Sequence, residues 1–133
     1  MSSGVTAALG FRASAVEAGI KPGRTDLALL VSDRPCVASG VFTTNLAKAA
    51  PVLVSAEHLR NGRARAVIVN AGCANAATGP QGLSDCRETV ALTATAIGCA
   101  QTEVLVSSTG VTRAFEGQSA SASGGRAIPS LLR

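Results

Sequence analysis

Apolar residues along the chain fall into short β-branched runs, broken by polar and glycine-containing stretches, with one longer run at helical spacing. Leu27 to Val31, Val37 to Thr43, Pro51 to Ser55, Ala64 to Asn70 and Glu103 to Ser107 read as strands. Ser32-Asp33-Arg34-Pro35 joins the first two runs over a hairpin-like distance. Ser55 can cap a short helical segment that Asn61-Gly62 ends. The clearest helix follows Gly79-Pro80, because proline suits a first turn whose amides lack partners anyway. Leu83, Cys86, Val90, Ala94 and Ile97 then recur at helical spacing, and Gly98 supplies the stop. Strands interleaved with a good helix predict an α/β protein with α+β layering, the helix covering one face of a sheet.

Composition adds bounds to this pattern. With 133 residues, 47% hydrophobic and 15% charged, the chain has the size and make-up of one globular domain. The apolar content is mostly Ala, Val and Leu, with three Phe and neither Trp nor Tyr, so the core must be built from small aliphatic side chains. After Phe115 the stretch from Glu116 to Gly125 offers almost nothing to bury. The expected division is therefore a folded part over 1–115 and a flexible Ser/Ala/Gly-rich tail over 116–133. No run reaches the length of a membrane-spanning helix and the N-terminus lacks a secretory pattern, so a soluble, cytoplasmic protein is expected.

The formal net charge of +4 raises the question of nucleic acid, but the basic residues are scattered and no aromatic side chains alternate with them. Arg60, Arg63 and Arg65 form the one local cluster, and a solvated loop accounts for it. Cys36, Cys73, Cys86 and Cys99 are too far apart for a Cys-x-x-Cys site, and His58 is the single histidine. Neither a metal nor a cofactor is expected. His58 reads as a surface residue on a short helix, with no motif around a partner Ser or Cys.

Two segments carry candidate chemistry. Asn70-Ala71-Gly72-Cys73-Ala74-Asn75-Ala76-Ala77-Thr78-Gly79 joins an apolar strand to the start of a helix, where α/β folds place ligands. The same Asn and Gly residues also serve turns of positive φ. Val104 to Gly110 ends a buried-looking strand in Ser107-Ser108-Thr109-Gly110. A backbone amide beside a threonine hydroxyl can donate two hydrogen bonds to one oxygen, which is the equipment of an oxyanion hole. From the pattern alone a simple turn accounts for this segment as well.

The order and spacing of several blocks resemble the N-terminal part of the ornithine acetyltransferases, or glutamate N-acetyltransferases. These blocks are Gly4-Val5-Thr6-Ala7, Ala18-Gly19-Ile20-Lys21, Asp26-Leu27-Ala28-Leu29-Leu30, Gly40-Val41-Phe42-Thr43-Thr44-Asn45, Asn70-Ala71-Gly72, Ala74-Asn75-Ala76, Thr78-Gly79 and Ser108-Thr109-Gly110-Val111. The resemblance runs to about Val111. It implies that family's α/β fold, incomplete at the C-terminal end, and transfer of an acetyl group from N-acetylornithine to glutamate in arginine biosynthesis, with acetyl-CoA as a further donor in some members. It also implies precursor self-cleavage into two chains, assembled as a heterotetramer of two of each.

The nucleophile is then the N-terminal Thr of the second chain, activated by its own α-amine. The family's oxyanion hole falls on Thr109 and Gly110, and the loop with Asn70, Gly72, Asn75, Thr78 and Gly79 takes a supporting role. The Met-Thr junction is not among these residues, since the one Met is Met1. The expectation is a first-chain portion that is inactive alone; a non-catalytic interaction or ligand-binding module that kept the fold is the alternative.

Overall fold

The computed structural model describes residues 4–111 and 127–132. A four-stranded sheet forms the centre, with strands β1 (Phe11–Val16), β2 (Leu27–Val37), β3 (Arg63–Cys73) and β4 (Val104–Val111) in that spatial order. β1 with β2 and β2 with β3 are antiparallel, while β3 and β4 run parallel. Helix α1 (Ala50–His58) precedes β3, and the longer helix α2 (Gly79–Ile97) makes the crossover between the parallel strands. The expected α/β class is thus observed, as a mixed sheet covered by helices.

Alternation along the strands sorts the faces. Leu27, Leu29 and Val31 of β2, Ala66 and Ile68 of β3, and Val104 and Val106 of β4 pack with Val54 of α1 and with Cys86, Val90 and Ala94 of α2. The intervening Leu30, Val67 and Leu105 point the other way and are only half-buried. Together with Phe11 and Val37 they line an open apolar groove of about 180 Å³. α2 follows its expected spacing, from Pro80 in the first turn to Gly98, whose φ of 70° ends it in the left-handed conformation.

Several expected elements take a different form. The run from Val37 to Thr43 is not a strand: β2 ends at Val37, and Val41 and Leu46 lie almost fully exposed in an irregular connection. Ser32-Asp33-Arg34-Pro35 is not a hairpin turn but lies inside β2, where the register shifts between Val31 and Cys36. There the Arg34 amide donates to the Ser32 hydroxyl at 3.3 Å, and the bulge tolerates Pro35 because no ladder donor is needed. Pro51 to Ser55 is helical. Pro51 sits in the first turn of α1, and Ala50, Pro51, Val54 and Ser55 share its buried face. β1 lacks a β-branched run and went unread.

Helix α1 is held against β4 by side chains bonding to the strand's outer edge. The Ser55 hydroxyl donates to the Val106 carbonyl at 2.8 Å and accepts from the Val106 amide at 3.0 Å. Ser55 is therefore not a cap, and Ala49 occupies that position. His58 is half-buried, not a surface residue: its Nδ1 donates to the Val104 carbonyl at 2.8 Å, which fixes the tautomer because a carbonyl can only accept.

Of the expected tail, residues 112–126 lie outside the described residues. Ile128–Leu132 forms a 3-10 helix, with Ile128 and Leu131 buried in the main core, so this part is packed and not free. Two well-spaced aliphatics suffice as anchors even after a Ser/Gly-rich stretch.

Two outcomes follow from this packing. Ser55→Ala leaves both polar groups of Val106 without their partner, and chemical denaturation should show a loss of about 1–3 kcal/mol, the cost of unsatisfied buried groups. Burial pushes the Cys86 thiol up to about 12, with the Arg87 charge opposing and Asp85 adding to the rise. An unfolded thiol ionises near pH 8.5. The folded form then holds its proton while the unfolded form loses it, so stability should fall as pH rises from about 8.5 towards 12. The pH-dependence of denaturation should be shallower in Cys86→Ala over that range; equal slopes would show that the thiol is not involved.

Candidate active site

The parallel strands β3 and β4 end side by side, with Asn70 opposite Ser108, Ala71 opposite Thr109 and Gly72 opposite Gly110. The two segments singled out in the sequence are therefore neighbours, at the carboxyl end of a parallel pair, the usual ligand position in α/β sheets.

Contact between the two glycines is intimate. A Cβ on Gly110 would lie 2.4 Å from the Gly72 carbonyl carbon and 2.7 Å from its nitrogen, and Gly110 has a φ of +128°. Gly72, at φ +125°, is crowded by side chains instead: a Cβ there would come within 2.8 Å of Lys21 Cγ. Neither position admits a side chain.

The loop after β3 is locked by polar side chains. Ser108 Oγ accepts from the Asn75 amide and donates to the Cys73 carbonyl, both at 3.0 Å, and Asn70 Nδ2 donates to the same carbonyl at 2.9 Å. Asn75 Nδ2 donates to the Gly82 carbonyl at 2.7 Å, while Thr78 Oγ1 donates to Asn75 Oδ1 at 2.5 Å. Gly82 has no room for a Cβ, which would meet Thr78 Oγ1 at 1.8 Å. The loop carries Ala77 at φ 57°, a strained conformation for a residue with a side chain. Gly79 opens α2 at φ 63°. Asn70, Asn75 and Thr78 thus fasten the loop internally, Gly72 supports Gly110 by contact, and Ser108, quoted in the sequence only as part of its strand end, acts as the hub.

Thr109 and Gly110 themselves are exposed. The direction of the Gly110 amide follows from the ladder. Val104 and Val106 turn their backbone groups to the outer edge, where His58 and Ser55 take them. Ala74 donates to the Val111 carbonyl at 3.2 Å, so the odd-numbered residues of β4 face β3. Alternation then puts the Gly110 N–H on the outer edge, beyond the end of α1. The Gly110 amide is thus turned away from β3, and the preceding Thr109 is exposed.

A buried carboxylate braces the connection beside the site. Asp26, at the start of β2, is 2% exposed and accepts the amides of Ala18, Ile20 and Lys21 at 2.6, 2.7 and 2.7 Å. Its own carbonyl accepts the Ala71 amide at 2.8 Å. Asp26 and Lys21 drew no attention as site residues in the sequence, where an acid opening an apolar run looks like an ordinary turn residue. Among the described residues no three His, Cys, Asp or Glu side chains gather as metal ligands, and no helix is long and apolar enough to cross a membrane.

The fold is that of an α/β protein in which, among the described residues, two glycine-containing strand ends meet at the carboxyl end of a parallel pair. Residues 12–118 match the model of the ArgJ family, and the chain belongs to that family. It is 58% identical over 103 residues to the arginine biosynthesis bifunctional protein ArgJ of Geobacter sulfurreducens, covering 77% of this chain and 26% of that protein. The protein of the same name from Gloeobacter violaceus is 51% identical over 113 residues, covering 84% and 28%. The chain thus spans about a quarter of the length of these relatives.

Among solved structures, the ornithine acetyltransferase of Mycobacterium tuberculosis, complexed with ornithine, superimposes with a TM-score of 0.88 at 42% identity, covering 97% of this chain and 69% of that one. The ArgJ protein of Bacillus halodurans gives 0.89 at 35% identity, covering 97% and 66%.

Gly110→Ala tests the closeness of the two strand ends. The added methyl collides with backbone at a strained φ, and a loss of at least about 2 kcal/mol is expected in denaturation. Gly98→Ala, at a helix end with open space around it, should cost less. Equal costs would mean that the Gly72–Gly110 contact imposes nothing.

Proposed function

We propose that this chain supplies the oxyanion-binding half of an acetyltransferase that moves the acetyl group of N2-acetyl-L-ornithine to L-glutamate. The observation that supports it best is the alternation of β4, which turns the Gly110 amide to the outer edge directly after the exposed Thr109. Family membership and the likeness to an ornithine acetyltransferase give the chemistry that such a pair would serve.

In this reading the nucleophile is the N-terminal threonine of a second chain, in a heterotetramer of two of each. Its hydroxyl attacks the acetyl carbonyl carbon while its α-amine, which titrates near pH 7.7–8.0, takes the proton. The carbonyl oxygen becomes an oxyanion and receives hydrogen bonds from Gly110 N–H and Thr109 Oγ1. The Gly110 amide belongs to the strand backbone and is in place before charge develops, so it needs little reorganisation. The amide C–N bond then breaks, the proton passes to the leaving α-amine of ornithine, and an acetyl-threonine ester remains. The α-amine of glutamate attacks this ester through the same oxyanion and regenerates the threonine. Asn70, Gly72, Asn75, Thr78 and Gly79 hold the strand ends in place without touching the reacting atoms.

Residues 1–133 alone should show no acetyl transfer from N-acetylornithine to glutamate, and transfer should appear when a Thr-initiated second chain is supplied. In the assembled enzyme Thr109→Val keeps the shape but removes one donor. Single-turnover acetylation should slow by about a hundredfold with little change in substrate affinity. Turnover by the isolated chain, or an unchanged acetylation rate in the folded variant, would overturn the proposal.

A further inference from the structure

Ser55 and His58 close the border of β4, but the opposite end of the sheet carries no such guard. β1 is the terminal strand there, and its Phe11, Arg12, Ala13 and Ala15 are exposed. Which of its residues face outward follows from the ladder. The Asp33 amide donates to the Gly10 carbonyl at 2.9 Å, one step beyond the Phe11–Ser32 pair. Backbone groups alternate along a strand, so Gly10, Arg12, Ser14 and Val16 turn theirs to β2. The N–H and C=O of Phe11, Ala13 and Ala15 point the other way, and among the described residues they have no hydrogen-bond partner.

Native sheets blunt such borders with proline, lysine, a bulge or a covering element. β1 contains neither proline nor lysine, and its register with β2 is unbroken from Phe11 to Val16. Its one charge, on Arg12, is engaged by Asp33 at 2.8 Å. The 3-10 helix Ile128–Leu132 reaches β1 through Ser14, whose hydroxyl donates to the Leu131 carbonyl. That contact lies on the core face, where Ser14 sits opposite Leu29, and an open groove of about 360 Å³ remains beside Phe11, Ala13 and Ser14.

We propose that the β1 border is a self-association surface, on which β1 of a second copy of this chain adds antiparallel with Ala13 on the two-fold axis. Geometry selects the second copy and the register together. Opposite residues in an antiparallel pair are either both bonded or both unbonded, so two copies of one strand align only with a residue on the axis. With Ala13 there, Phe11 lies opposite Ala15 of the other copy and Ala13 lies opposite itself. All three outward residues then bond, giving about six hydrogen bonds at two per pair. With Arg12 on the axis, two like charges would stand opposite each other and one bonded pair would be lost; Ser14 on the axis also loses a pair. The Ala13 register instead sets Arg12 across from Ser14 and lays a phenylalanine over a small alanine. At one bond per 100–200 Å², six bonds correspond to about 600–1,200 Å² of buried surface, which belongs to weak, reversible association. The β4 end of each copy stays clear of the contact.

Sedimentation of the 133-residue chain from about 10 μM to 1 mM should show a monomer–dimer equilibrium. Ala13→Pro removes an outward N–H and no bond to β2, so it should keep the wild-type circular dichroism while weakening dimerisation by at least about tenfold. Ala13→Cys tests the register independently of that variant. Facing Cα atoms lie about 5.5 Å apart, within reach of a disulfide, whereas the two copies of position 15 would be about 13 Å apart at 3.3 Å per residue. Mild oxidation should therefore cross-link Ala13→Cys through the introduced thiols, as mapped by peptide mass, and Ala15→Cys far less. A monomer throughout the concentration range, a dimer that persists undiminished in folded Ala13→Pro, or equal cross-linking of the two cysteine variants overturns the proposal.

Discussion

Gly72 and Gly110 meet backbone to backbone, and the rest of the site is arranged around that contact. With a Cβ on Gly110 placed 2.4 Å from its neighbour's carbonyl carbon, the strand ends could not close as they do. Their approach brings Thr109 level with Ala71 and sets the register through which Ser108 reaches the loop after β3. On the far side the same glycine leaves a channel for the Lys21 stem. Two missing side chains thus allow the strand junction on one side and the passage of the Lys21 stem on the other.

Support for this junction comes from groups remote from any reacting atom. The Asp26 carboxylate, almost fully buried, is matched by three backbone amides, which give its oxygens the partners that water would otherwise supply. It organises the connection from β1 to β2 and, through its own carbonyl, is tied to Ala71 beside the glycine pair. On the other flank Ser108, Asn70 and Asn75 leave the loop after β3 little freedom. Rigid backing on both sides suits a site that must present donors in fixed positions.

Legibility of the fold varied with how much each element depends on its own sequence. β3, β4 and α2 could be read directly, because Ala64 to Asn70 and Val104 to Val106 are apolar runs and because Gly79-Pro80 and Gly98 bracket a helical period. α1 could not be placed correctly, since Pro-Val-Leu-Val-Ser is as good a strand as a helix until β4 offers an edge for Ser55 and His58. β1 takes its form from pairing with β2, and the bulge at Ser32 conceals one long strand behind turn residues. At the site, Thr109, Gly110 and the Asn70 to Gly79 loop stood out through resemblance and through hydroxyl and glycine content. Asp26 and Lys21 did not, because their significance lies in contacts to residues some 45 positions or more along the chain, or in amides that every sequence possesses.

The hydroxyl of Ser55 and the imidazole of His58 have an implication for how this sheet can grow. Exposed strand borders invite further strands, and such recruitment is a common route to aggregation. Here the border of β4 is already occupied at Val104 and Val106, so an incoming strand would first have to displace a whole helix. Growth of the sheet alongside Val104 and Val106 is thus closed while that helix stays in place, and a single serine and a single histidine act as its stop.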